Sequence, residues 1–139
     1  MRYPEGMERI VRRVHARVAC DRPVDVYADA ARGPLLGRGQ LLDLSLSGAL
    51  IAYDGLLRAG APYRLGLSDA HGTLELPFRV AREAPRGRRY PKVRHYGLTF
   101  NPTGSQEKAL LELIDAIRAH PNPEEDTLLD RLLRSYWSR

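Results

Sequence analysis

The sequence predicts a mainly β fold of short antiparallel strands, followed by helices toward the C-terminal end. Six segments alternate apolar and polar residues with a period of two, which is typical of strands with one buried face. Glycine, proline, asparagine and aspartate separate these segments, as turns require. Helical spacing of apolar residues begins only after residue 103. Because the helices follow the strands instead of alternating with them, the order of elements argues against a doubly wound parallel sheet and favours an antiparallel barrel or sandwich.

The first three strands are predicted in the N-terminal half of the chain. Residues 24–27 alternate valines with polar or aromatic neighbours and predict the first strand. Residues 35–46 predict the second, which two glycines weaken near its start. Residues 49–53 predict the third, directly after a glycine that ends the second.

Three further strands are predicted over residues 63–68, 74–82 and 93–100. Each of them places apolar side chains on one face. A basic loop at residues 85–92 joins the last two strands. We interpret this loop as a solvated hairpin tip, with contact to phosphate or nucleic acid as the alternative.

Two helices are predicted after the strands. Thr103 and Gln106 have the spacing of a capping box, and the apolar residues that follow predict a helix over residues 105–119. Prolines then end this helix. Residues 124–137 predict a second helix whose acidic start and basic end complement the helix dipole. Its apolar stripe could pack on the barrel, on a second copy or on a target protein.

The composition is that of a folded domain with one strongly basic segment. Apolar residues make up 43% of the 139 residues, which suggests a single globular domain. The net charge is +5, and residues 79–94 contain seven basic residues and one acid, so this window carries essentially all of it. Arginine outnumbers lysine 20 to 2, which suits phosphate binding but also follows from a GC-rich genome. The lone Cys20 and the lack of a long apolar run predict a soluble cytoplasmic protein without membrane insertion.

Arg13 and Arg17 form the first candidate binding motif, with the pattern RxxxR. In a helix this spacing places both side chains on one face, and in a loop both can converge on one anion. A guanidinium can bind a phosphate with two parallel hydrogen bonds. The spacing alone fits an ordinary solvated basic segment better, because such arginine pairs are common by chance.

Asp43, Ser45 and Gly48 form the second candidate motif, with the pattern DxSxxG. An ionised aspartate only accepts hydrogen bonds, so it suits the N–H groups on the edge of a guanine and not a phosphate. A serine hydroxyl can bind either group, and a glycine lets a ligand approach the backbone. The alternative is a turn at the end of a strand, in which the aspartate and serine bond their own backbone.

Taken together, in this order and with a strand between them, the two motifs resemble those of the PilZ domain, a family of bacterial cyclic-di-GMP receptors. The family motifs RxxxR and [D/N]xSxxG are matched at every defining position by residues 13–17 and 43–48. The last predicted strand and the helix after it also resemble the family. The resemblance covers residues 9–120, which leaves residues 1–8 as a flexible lead-in and residues 121–139 as an additional C-terminal helix.

The resemblance implies a six-stranded antiparallel β-barrel of the split-barrel type, with C-terminal α-helices. The arginine segment would lie across the barrel mouth as a mobile arm that contacts phosphates and guanine faces. The motif aspartate and serine would contact a guanine edge and nearby polar atoms, and the glycine would shape the turn. Arg12 stands where an additional arginine is associated, in the family, with an intercalated ligand dimer. The implied ligand-binding residues are Arg12, Arg13, Arg17, Asp43, Ser45 and Gly48.

The implied function is that of a receptor that orders its arm around cyclic-di-GMP and relays the signal to a downstream protein by conformational change. No enzyme is expected, because Ser45 has no assignable base and no phosphate loop or dinucleotide fingerprint occurs. The scattered histidines lack metal-ligand spacing, so neither a metal nor a cofactor is expected.

Two alternatives from other functional classes remain. One is a basic nucleic-acid-binding barrel, against which the single aromatic of the basic loop speaks, since single-strand platforms use several. The other is a PilZ-like scaffold that acts only through protein contacts. Such contacts include homo-oligomer formation through the C-terminal helix.

Overall fold

The structure, a computed structural model, describes residues 17–29, 31–69 and 72–119. These residues form six strands and one helix. The lead-in at residues 1–8 and the second predicted helix at residues 124–137 lie outside the described residues. The elements are β1 Val18–Ala28, β2 Leu35–Leu44, β3 Gly48–Tyr53, β4 Pro62–Asp69, β5 Gly72–Ala84, β6 Arg94–Thr99 and α1 Gly104–Ala119.

The six strands close into an antiparallel barrel in the order β1-β2-β3-β6-β5-β4. The barrel closes between β1 and β4, where Val26 pairs with Leu65 and Tyr27 with Arg64. The expectation of a six-stranded antiparallel barrel is therefore confirmed, and the sandwich that periodicity alone left open is excluded. Closure removes the exposed strand edges at which sheets aggregate.

β1 begins earlier than the sequence pattern predicts. The pattern placed its start at Val24, whereas the strand runs from Val18. A register shift between Ala19 and Arg22 interrupts the regular alternation of buried and exposed residues. The first half of the strand therefore lacks the sequence pattern from which a strand is predicted. Pro23 is tolerated because it precedes Asp25, where pairing with β4 begins, so this part of β1 has a neighbour on one side only.

One apolar core fills the barrel and continues under the helix. Val26, Leu44, Ile51 and Leu65 are fully buried on the inner faces of four strands. The inward alternation that predicted the strands is what places them there. The helix contributes one face to the same core, through Leu110, Leu113, Ile114 and Ile117.

The start of α1 agrees with the predicted capping box. The Thr103 backbone N–H donates to Oε1 of Gln106 at 3.0 Å. The Glu107 backbone N–H donates to the Thr103 carbonyl oxygen at 2.7 Å. The first bond satisfies a donor at the helix start that has no intrahelical partner, and the second is the first i→i−4 bond of the helix.

One end of the barrel brings Arg17 of the first motif close to the second motif. Val18 pairs with Leu44, and Gly48 pairs with Thr99. The start of β1, the β2–β3 turn and the end of β6 therefore meet at one end. The fold thus brings Arg17, directly before β1, next to the second motif, which spans the β2–β3 turn.

Candidate functional site

Arg17 and Asp43, one residue from each sequence motif, are in direct contact. Nη1 of Arg17 donates to Oδ1 of Asp43 at 3.1 Å. The Arg17 side chain is 58% exposed and that of Asp43 is 21% exposed, so the pair lies at the surface with its acid half-buried. An ion pair this exposed contributes about 0–1 kcal/mol, so an anionic ligand can displace it at little cost.

A β-bulge in β2 determines where Asp43 points. Leu41 faces Ile51 of β3, but the next paired residue is Asp43, which faces Leu50. Leu42 is thus the extra residue of the bulge, and both Leu42 and Asp43 oppose Leu50. Asp43 consequently has an apolar neighbour along its own strand and another across the sheet, on the outer face of the barrel.

Ser45 is buried and takes part in the β2–β3 turn. Its Oγ donates to the Gly48 carbonyl oxygen at 3.3 Å and accepts from the Ser47 backbone N–H at 3.3 Å. Its own backbone N–H donates to the same Gly48 carbonyl at 2.8 Å. The hydroxyl therefore has a structural role in the turn. Its contact with a ligand stays a prediction.

Gly48 begins β3 at a point where another backbone passes very close. A Cβ atom added to Gly48 would lie 2.3 Å from the Leu98 carbonyl oxygen of β6. Only glycine fits this position without a shift of the sheet. The requirement for glycine in the motif thus has a cause within the fold, whatever the ligand does.

Cys20 lies behind the site, inside the barrel. Its Sγ lies 3.5 Å from the Leu41 carbonyl oxygen, to which the thiol donates. Burial in an apolar surrounding raises the pKa of the Cys20 thiol to about 11. The thiol is therefore neutral near pH 7 and plays no nucleophilic role here.

The structure brings together four of the six predicted site residues. Arg17, Asp43, Ser45 and Gly48 meet at one end of the barrel, as the two motifs require. Arg12 and Arg13 lie outside the described residues. The ligand contacts of all six residues remain predictions.

A surface pocket of about 390 Å³ adjoins Asp43, and the sequence analysis missed most of its lining. Small-molecule sites commonly have about 300–1,000 Å³. One wall comes from the loop that joins β5 and β6, at residues 85–93, which we call the β5–β6 loop. The run of arginines in this loop was visible in the sequence, but nothing there indicates that the loop returns to β2. The pocket is lined by Ala19, Leu42, Asp43, Leu50, Pro85, Gly87, Arg88, Arg89 and His95.

The described part of the chain offers neither a cluster of metal ligands nor a membrane-spanning helix. Among residues 17–29, 31–69 and 72–119, no three histidine, cysteine, aspartate or glutamate residues cluster as metal ligands. In the same part of the chain, no helix is long and apolar enough to cross a membrane.

Solved structures similar to this chain include PilZ domains. The PilZ domain of CeSA from a cellulose-synthesising bacterium has 22% identity and a TM-score of 0.56, covering 74% of this chain and 98% of that one. The PilZ domain of Escherichia coli YcgR with c-di-GMP has 18% identity and a TM-score of 0.59, covering 92% of this chain and 98% of that one. A longer YcgR chain in complex with c-di-GMP has 19% identity and a TM-score of 0.58 over 87% of this chain, but only 50% of that chain is covered. At these identities the likeness concerns the fold.

The family itself is identified by the sequence. A search of curated proteins gave no match. The model of the PilZ domain, in contrast, matches residues 11–116, which is most of the chain and includes both motifs and every strand. With the closed six-stranded barrel and the contact between the two motifs, this match leads to one conclusion: the chain belongs to the PilZ domain family.

Proposed function

We propose that this protein is a receptor for cyclic-di-GMP that binds the nucleotide at the end of the barrel where its two motifs meet. The observation that supports the proposal is the 3.1 Å contact between Arg17, the last residue of the RxxxR pattern, and Asp43, the first residue of the DxSxxG pattern. Family membership supports it, as does the likeness to the YcgR PilZ domain solved with c-di-GMP. PilZ domains are ligand-binding receptors, so the proposed role is not enzymatic.

The chemistry of each residue suits one part of this ligand. The guanidinium groups of Arg12, Arg13 and Arg17 would bind phosphates bidentately and stack on guanine faces. The Asp43 carboxylate would accept the N–H groups of a guanine edge. Ser45 would offer a hydroxyl at the turn. Gly48 would keep β3 close to β6, so that the turn retains its shape.

Binding would begin with an exchange of partners. Without ligand, Arg17 and Asp43 neutralise each other. With ligand, Arg17 would move to a phosphate and Asp43 to a guanine edge, and both new contacts involve a charged group, which strengthens hydrogen bonds. We propose that this exchange orders the arginine segment, and that the ordered surface is what a downstream protein recognises. The role proposed is thus that of a cytoplasmic adaptor.

Isothermal titration with cyclic-di-GMP tests the proposal. We expect saturable binding by the unaltered protein, and Arg17→Ala and Asp43→Ala should each weaken it by about 10-fold or more, because each removes a charge-assisted bond. Asp43→Asn should retain more affinity than Asp43→Ala, since an amide oxygen still accepts one guanine N–H. The matched control is Arg32→Ala, an exposed arginine at the opposite end of the barrel, which should bind like the unaltered protein.

Two results would contradict the proposal. The first is no binding by folded, unaltered protein at tens of micromolar ligand. The second is binding that Arg17→Ala and Asp43→Ala leave unchanged. The stoichiometry of the same titration tests the role of Arg12, because an intercalated dimer requires two nucleotides per protein chain.

A further inference from the structure

The β5–β6 loop folds back over the outer face of the barrel, instead of extending into solvent. Leu42, Ala52 and Ala84 are buried although they do not belong to the barrel core, and His95 is only 2% exposed. Ala52 faces His95 across β3 and β6, and Ala84 faces His95 across β5 and β6. These four residues therefore form one patch on the outer face, which the loop shields from water.

Two contacts fix the far side of this loop to β1. Nη1 of Arg89 donates to the Cys20 carbonyl oxygen at 2.9 Å. The Tyr90 hydroxyl donates to the Asp21 carboxylate, with distances of 2.8 and 3.0 Å to its two oxygens. Both contacts join residues that are far apart in the sequence, so they hold the loop across β2 and β3 toward the start of β1.

The His95 side chain, on the outer face of β6, fixes the loop through two hydrogen bonds to the loop backbone. The Gly87 backbone N–H donates to Nδ1 of His95 at 3.5 Å, so Nδ1 is the acceptor nitrogen of the ring. Nε2 then carries the hydrogen and donates to the Tyr90 carbonyl oxygen at 3.1 Å. Tyr90 adopts a left-handed backbone with φ of 55°, which a bulky residue keeps only when its surroundings hold it there. The loop is thus held at both ends and at its tip.

Arg88 is the cation that this arrangement leaves available. Arg89 is engaged by Cys20 and lies 3.9 Å from Asp21, so it serves as an anchor. Arg88 lines the same pocket as Asp43, is exposed, and makes no hydrogen bond or ion pair among the residues that the structure describes. A guanidinium held by a fixed loop at the wall of a pocket suits an incoming anion.

The pocket has the three surfaces that a guanine nucleotide needs. Its floor is apolar, from Leu42 and Leu50, and can take the face of a base. Asp43 at one edge accepts hydrogen bonds and matches the N–H groups of a guanine. Arg88, which the β5–β6 loop contributes to the lining, matches a phosphate.

We propose that Arg88 binds a phosphate of the same nucleotide whose guanine edge Asp43 accepts, and that the β5–β6 loop is the second wall of the site. The inference rests on the proposed function and adds a binding residue that lies outside both motifs. Arg89, Tyr90 and His95 are then positioning residues, which set the distance between Arg88 and Asp43.

The test is titration of cyclic-di-GMP into Arg88→Ala, with Lys92→Ala as the matched control. Both changes remove one positive charge from the same exposed loop, but Lys92 does not line the pocket. Arg88→Ala should raise the dissociation constant about 10-fold or more, and Lys92→Ala by less than about 2-fold. Arg88→Lys should fall between them, because a lysine keeps the charge and loses the bidentate fork.

A second measurement on the unaltered protein covers the case in which Arg88→Ala fails to fold. Saturating cyclic-di-GMP should shift the backbone amide resonances of Gly87, Arg88 and Asp43 together, whereas those of Arg32 at the other end should stay in place. Unshifted Gly87 and Arg88 resonances would overturn the inference.

The outcomes separate this inference from the function on which it rests. Binding by the unaltered protein that Arg88→Ala leaves intact would overturn the inference alone, and so would equal losses in Arg88→Ala and Lys92→Ala. No binding by the unaltered protein would overturn both. Weak binding by Arg88→Ala beside normal binding by Lys92→Ala would support it.

Discussion

At the scale of single residues, the fold itself requires the glycine of the second motif, Gly48. The Leu98 carbonyl oxygen would lie 2.3 Å from a Cβ at this position, and that oxygen belongs to backbone, which cannot swing aside as a flexible side chain can. Gly48→Ala should therefore lower the free energy of unfolding by about 1–3 kcal/mol, as overpacking typically does. Urea unfolding measures this directly.

Gly104→Ala is the matched control for that change. Gly104 opens α1, and a Cβ there would meet nothing within 4 Å. Its effect on the free energy of unfolding should stay within about 0.5 kcal/mol. Equal unfolding midpoints for the two variants would show that β3 and β6 can move apart without cost, and would contradict the close approach of Gly48 to the Leu98 carbonyl oxygen.

The residues of the second motif could be found from the sequence, but their separate roles could not. The pattern DxSxxG fits both a ligand site and a strand-ending turn. In the structure, Ser45 stabilises the turn through four hydrogen bonds inside residues 45–48, while Asp43 faces outward to Arg17. The register shift in β2 causes this division, and a bulge leaves no clear mark in a sequence.

At the scale of elements, the seam between β1 and β4 depends on a buried arginine. Arg64 of β4 lies over the ring of Tyr27 of β1, at 4.6 Å from its centroid. Its Nε lies 3.2 Å from Oε2 of Glu75 of β5, yet Nε and Nη1 have no hydrogen-bond partner. Three strands therefore meet around a guanidinium that is paired by charge and not fully satisfied by hydrogen bonds.

Substitution of Arg64 should separate its packing from its charge. Arg64→Met keeps most of the side-chain volume and removes a desolvated charge, so the free energy of unfolding should remain within about 1 kcal/mol of the unaltered protein or increase. Arg64→Ala loses the packing on Tyr27 as well, and should be destabilised by about 2 kcal/mol. Thermal or urea unfolding distinguishes the two. If Arg64→Met were destabilised as much as Arg64→Ala, loss of the ion pair with Glu75 would outweigh the retained packing.

The elements themselves follow well from periodicity where pairing is regular. The predicted β3 and helix agree with the observed elements to within one residue at each end. The prediction was poorer where a register shift interrupts the alternation, as in the first half of β1. The β5–β6 loop was also misjudged in part, because its residues are exposed as expected but are anchored to Cys20, Asp21 and His95. Anchors that join positions 69 residues apart cannot be inferred from local pattern.

At the scale of the whole molecule, closure of the barrel makes the site a rigid base for a ligand. A ligand that binds only the folded protein stabilises it by about 2.7 kcal/mol at a free concentration of 100 times its dissociation constant. We expect cyclic-di-GMP to raise the free energy of unfolding by this amount, and GMP at the same concentration to raise it less, since one phosphate reaches fewer arginines. Chemical unfolding with and without ligand measures the difference.

Two variants make this whole-molecule prediction specific. Arg17→Ala should lose most of the stabilisation at the same ligand concentration, whereas Arg32→Ala should keep it. Equal stabilisation by GMP and cyclic-di-GMP would contradict a site built for a ligand with two phosphates. Whether the strands close was not decided by periodicity, because the pairing of β1 with β4 joins segments that are distant in sequence.

The burial of Cys20 has a practical consequence for fluorescence and spin-label experiments. At pH 8, a thiol with a pKa of about 11 has roughly 100-fold less thiolate than one at the ordinary 9.0, and Cys20 is also shielded within the barrel. A maleimide reagent would therefore modify a cysteine introduced by Lys92→Cys and leave Cys20 intact. Movement of the β5–β6 loop can therefore be followed with a single dye on this introduced cysteine, and Cys20 does not need to be replaced first.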